Sequence, residues 1–216
     1  MKPTVLASVV LMLVTQAYSQ KFTRDERALI ESGKGTDLMR VLQVTDNADL
    51  KVLEAQSTDI DYKDKSLQLL IDRMYATVND TVNPGVGIAA PQVGINRNVI
   101  WVMRFDKPGE PFEVYLNPKI TWRSKLMRKG AEGCLSIPDI RGDVLRNYTI
   151  QITYQDREGK RHQEIVEGFT AVIFQHETDH LNGILFTHRL TEQEAKHYTL
   201  INGEVQLYLE ERLRRQ

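Results

Sequence analysis

The chain has 216 residues, 41% apolar and 26% charged, with a net charge of -1. That length and balance suit one globular domain with a real core, and a charge so near zero gives no electrostatic footprint for nucleic acid. A single cysteine, Cys134, excludes an internal disulfide and leaves either a small buried thiol or a metal thiolate.

In chain order, Lys2 precedes an apolar run from Val5 to Val14, and Ala17-Tyr18-Ser19 has the small residues and spacing of a secretory cleavage site. The run is too short for a stable membrane anchor. Thr23 and Glu26 have capping-box spacing and predict a short helix to Ser32, stopped by Gly33. Met39 to Val44 reads as a strand and Asp46-Asn47 as a turn. Leu67, Leu70, Ile71, Met74 and Val78 fall on one helical stripe, which predicts a helix over residues 66–78.

Gly85 to Gly94 alternates glycine with aliphatics, a pattern that lets another backbone approach closely; tight sheet packing and an extended peptide alongside are both compatible with it. It is not a nucleotide loop, because the glycine spacing is wrong and Pro91 stands where the helix would begin. Val99 to Met103 and Phe112 to Leu116 read as strands around a turn at Pro108-Gly109. Tyr148 to Tyr154 and Arg161 to Glu167 read as a hairpin turning at Asp156 to Gly159. Thr191 and Glu194 again have capping-box spacing and predict a helix to Leu200 that Gly203 breaks. The tail over 204–213 is compatible with a strand or an amphipathic helix, its Leu, Glu and Arg content leaning to helix. No repeat or linker divides the chain.

The most chemically loaded stretch follows the apolar residues Phe169, Ala171, Val172, Ile173 and Phe174. His176-Glu177-Thr178-Asp179-His180 is an H-E-x-x-H pattern, and Asn182-Gly183 is a fitting helix stop. On a helix the two imidazoles leave one face and can grip one ion, with Glu177 beside them to handle a proton. The bland alternative is an amphipathic helix with partly exposed histidines. Two imidazoles leave a hydrolytic site short of a ligand. Cys134, in the turn-rich run from Glu132 to Pro138, is the natural third donor.

Gly85-Val86-Gly87-Ile88-Ala89-Ala90-Pro91-Gln92, Glu132-Gly133-Cys134-Leu135-Ser136 and Gln175-His176-Glu177-Thr178-Asp179-His180 together resemble the three signature motifs of peptide deformylase, in order and at similar spacing. The resemblance implies an α+β fold with antiparallel sheets around a central metal-binding H-E-x-x-H helix, and removal of the formyl group from N-formyl-methionyl peptides or nascent chains. It places Cys134, His176 and His180 on one divalent ion, Fe(II) or Zn(II), with Ni(II) or Co(II) also compatible with such donors. Glu177 would be the general acid and base, and Gln92 with the Leu135 N–H the oxyanion hole. Gly87 and Ile88 would pair with the substrate backbone. Val86, Glu132, Val172 and Ile173 would lie near the methionine pocket, Arg141 near the cleft, and Arg146 would pair with Asp179.

The expected organisation is a leader at 1–19, an N-terminal extension at 20–38 and a deformylase-like catalytic domain at 39–216. The leader implies export, in which case Zn(II) or Ni(II) is favoured over oxidisable Fe(II); a start at Met39 implies a cytosolic protein. A zinc endopeptidase shares the helix motif, but His188 is not at the spacing its third histidine would need. A non-catalytic formyl-peptide binder is the other alternative, disfavoured by the complete set of reactive groups.

Overall fold

The structure, a computed structural model, describes residues 19–211, so all of the expected leader except Ser19 lies outside it. Among the described residues, five α-helices, a short 3-10 helix (Ala90–Val93) and nine strands follow one another, the strands forming two antiparallel sheets. Helix α1 (Arg24–Ile30) starts with the expected capping box between Thr23 and Glu26. Helix α3 (Leu67–Val78) buries the predicted stripe against the inner face of one sheet.

Between them, two expectations fail. Residues 39–44 belong to no sheet; Leu42 and Val44 instead donate their N–H groups to Gln92 and Ser136 carbonyls, and Asp46 is the cap of a helix, α2 (Asn47–Leu53), and not a turn. The Asp46 carboxylate accepts from the N–H groups of Ala48 and Asp49, which satisfies first-turn amides that a turn would leave to water.

The first sheet has the order β1 (Gly87–Ala89), β2 (Val99–Met103), β3 (Phe112–Arg123), β6 (Thr149–Gln155), β7 (Arg161–Glu167). The β6–β7 hairpin and β2 agree with the sequence reading. Strand β3 runs past its expected end at Leu116, because a bulge with Asn117 at φ +52° accommodates Pro118, which has no N–H to give the ladder. The second sheet has the order β5 (Ile137–Asn147), β4 (Leu126–Cys134), β9 (Leu207–Glu210), β8 (Tyr198–Asn202).

Helix α4 (Gly168–Leu181) carries the H-E-x-x-H pattern and touches strands of both sheets. Gly183 ends it at φ +68°, where an added Cβ would collide with the Glu54 backbone. Helix α5 (Phe186–Glu194) begins earlier than Thr191 and is over by Glu194; the expected helix to Leu200 is replaced by β8. The tail is a strand and not a helix, since Leu207, Tyr208 and Leu209 pair with Arg128, Met127 and Leu126. Among the described residues no helix is long and apolar enough to cross a membrane.

Candidate active site

Cys134 is the last residue of β4, held where Leu135 and Ser136 turn the chain into β5. His176 and His180 leave one face of α4, their rings 5.0 Å apart. The Cys134 Sγ lies 3.3 Å from His180 Nε2, and the three donor atoms fall within 4.8 Å of one another. Burial works against a thiolate, but the two imidazoles lower the Cys134 pKa well below its ordinary value. A soft anion and two imidazoles clustered so closely are a donor set that fits one divalent ion.

His176 is held from behind. Its Nδ1 is 2.8 Å from Glu132 Oε2, which leaves the other ring nitrogen for the cluster. Glu132 in turn takes two hydrogen bonds from Arg146, at 2.7 and 2.9 Å, and Arg146 also bonds Asp179 at 2.5 Å. Burial raises the pKa of Glu132, yet Arg146 and His176 outweigh it and hold the carboxylate at about 2. Glu132 was expected near the methionine pocket; although it borders the cleft, both its oxygens are taken by Arg146 and His176. The Arg146–Asp179 pair was expected. Arg189, which bonds Asp179 at 2.6 and 3.0 Å, was not, because a partner ten positions along and past a helix break leaves no pattern in the sequence.

Glu177 is buried at the cavity wall, and its Oε2 has no hydrogen-bond partner among the described residues. Burial raises its pKa to about 7, the range suited to exchanging a proton at neutral pH. Gln92 anchors its Oε1 on the Ala89 N–H at 2.9 Å and turns its Nε2 to Cys134 Sγ at 3.4 Å and Ser136 Oγ at 3.3 Å. Ser136, fully buried, is a second group that sequence reasoning passed over.

Gln92, Glu132, Cys134, His176 and Glu177 border a cavity of about 1120 Å³. Val86, Gly87, Leu135, Arg141, Val172 and Ile173 all line it. The Ile88 side chain does not; it is buried in the core, which leaves only its backbone for a ligand. Strand β1 is the outermost strand of its sheet. His188 stands apart, with Nδ1 accepting from the Leu185 N–H at 3.2 Å and Nε2 3.6 Å from Glu54.

A profile of the family described as polypeptide deformylase matches residues 39–196. The chain belongs to this family. A peptide deformylase of Caulobacter sp. (strain K31) is 42% identical over 156 residues, covering 71% of this chain and 88% of its own. One from Synechocystis sp. is 40% identical over 141 residues, covering 65% and 74%. Among solved structures, a class I type b peptide deformylase of Acinetobacter baumannii with Met-Ala-Ser bound superposes with a TM-score of 0.62 at 38% identity, covering 71% of this chain and 99% of its own. That of Thermotoga maritima gives 0.63 at 34% identity, covering 70% and 97%. As a deformylase, the chain is a metal-dependent hydrolase that removes the formyl group from N-formylmethionine peptides.

Proposed function

We propose that this deformylase works with Cys134, His176 and His180 holding one divalent ion and Glu177 moving the proton. The reading rests on one observation: three soft and borderline donors meet within 4.8 Å beside a buried carboxylate at a cleft that an edge strand borders. When bound, the ion supplies a Lewis acid for the formyl oxygen and brings the pKa of a water toward neutrality.

The residues of the chain do the rest. Glu177 takes a proton from the attacking water and returns it to the departing nitrogen, so that formate and a free amino terminus result. Gln92 Nε2 and the Leu135 N–H donate to the oxygen as negative charge develops on it. Gly87 and Ile88 offer backbone groups of β1 to an extended peptide, a strand-addition mode that an edge strand permits. Val86, Val172 and Ile173 surround the methionine side chain, and Arg141 stands at the rim. Glu132 fixes the orientation of His176, and Arg146 with Asp179 fixes Glu132.

The α4 helix is then the metal-binding element, packed against strands of both sheets. Fe(II) and Zn(II) both suit two imidazoles and a thiolate. The test is to load the protein anaerobically with Fe(II), Zn(II), Ni(II) or Co(II) and to measure formate from a formyl-methionyl peptide. Formate should rise in step with bound ion. A site that fills with each ion and yields no formate contradicts the reading.

A further inference from the structure

Residues 20–38 precede the family match, yet they are built into the domain. Phe22 and Ile30 sit in one core cluster with Met74 and Trp101. Arg73 of α3, only 5% exposed, donates to the carbonyls of Leu29 and Ile30 at 2.9 Å, Asp37 at 3.2 Å and Leu38 at 3.4 Å, and to Ser32 Oγ at 3.3 Å. Thr77 Oγ1 then accepts from the Met39 N–H at 2.9 Å. The end of the segment is therefore pinned along α3, and Leu38 is left half-exposed on the wall of the active-site cavity.

The cavity has a direction. Gly87 lies against Glu177, and the lining continues through Val86, Gly85, Pro84 and Asn83 to Asp80. A peptide antiparallel to β1, with its formyl end beside Glu177, runs along that series as its own residue numbers rise. Leu38 and Asp80 also border a second cleft, of about 670 Å³, between the segment at Lys34, Gly35 and Thr36 and the α3 residues Asp72, Tyr75 and Ala76. The two clefts meet at Leu38.

We propose that the segment ahead of the family match extends the substrate groove: residues downstream of formyl-methionine pass Leu38 and lie between residues 34–38 and α3. The inference rests on the deformylase reading, which places the formyl end at Glu177. Leu38 supplies an apolar contact at the junction, and Ala76 forms the floor beyond it.

The test compares kcat/KM for a formyl-methionyl dipeptide with that for the same peptide extended by several alanines and serines. In the unaltered chain the extended substrate should be favoured by about fivefold or more, the scale of a partly buried apolar contact. Leu38→Ala, which removes the contact, and Ala76→Arg, which fills the groove, should each cut that ratio by about threefold. Because the dipeptide is the internal reference, a general loss of activity or folding cancels. An extended-to-dipeptide ratio near one in the unaltered chain, or a ratio that neither variant moves, overturns the proposal. Absence of formate from both substrates would instead count against the deformylase reading.

Discussion

A Cβ added to Gly87 would fall 2.5 Å from Glu177 Oε1 and 2.9 Å from Ile173 Cγ2. The glycine is thus required by the carboxylate, since the backbone of β1 comes so close to α4 that any side chain displaces the proton-handling group. Gly87→Ala should lower kcat/KM by about tenfold or more, because a misplaced catalytic group forfeits its alignment with the substrate. The ion content should stay at its original level. Steady-state kinetics and metal analysis on the same sample check this; full activity in the variant would show that the carboxylate has room to move.

Cys134→Ala should lose ion and activity together. Two imidazoles alone hold a divalent ion weakly, and the thiolate carries the only negative charge among the three donors. Metal analysis after extensive dialysis is the measurement. Retention of a full equivalent would mean that another group completes the site.

Arg73 makes the N-terminal segment a structural part of the domain. Its guanidinium satisfies the last carbonyls of α1, which the helix itself leaves open, and it finds no carboxylate among those partners. Arg73→Ala should therefore cost on the order of 3 kcal/mol, the range for several hydrogen bonds from a charged group. Urea unfolding followed by circular dichroism reads it. A midpoint unchanged from the unaltered chain would mean that residues 20–38 pack independently of the clamp.

A second network predicts behaviour in acid. Arg104, 1% exposed, bonds Asp106 at 2.7 and 2.8 Å as well as Glu164 and Tyr115. Hydrogen bonds from Arg104 lower the Asp106 pKa from 3.8 to about 2. A depressed pKa means that the folded state binds its proton later than the unfolded chain does. The stabilisation is accordingly complete above 3.8 and disappears as the pH falls through about 2. Asp106→Asn should flatten that acid limb of a stability profile while leaving its slope near neutrality unchanged; an identical acid limb in both proteins would contradict the assignment.

Much of the site can be read from the chain because it depends on local spacing. His176 and His180 lie one helical turn apart, and the 85–92 stretch needs its glycines where Gly87 meets α4. The β4–β5 hairpin is different: Arg128, Lys129, Gly130 and Ala131 show no two-residue apolar alternation, and its pairing rests on tertiary contacts that leave no periodic signal. The tail misleads for the same reason, since its Leu and Glu content favours a helix while pairing with Leu126 to Arg128 makes it a strand. Glu132 and Arg189 fall outside any reading of spacing, because their partners Arg146, His176 and Asp179 are brought to them by the fold alone.

Glu177→Gln separates the two roles assigned to the H-E-x-x-H helix. Glutamine has nearly the same shape but cannot take a proton, and Glu177 is not one of the three clustered donors. Bound ion and formate release from a formyl-methionyl peptide should be measured on one preparation of the variant. The account predicts an ion content equal to that of the unaltered chain, with kcat lower by roughly two to four orders of magnitude, the range for a lost general base. Loss of the ion, or formate released at the original rate, would contradict it.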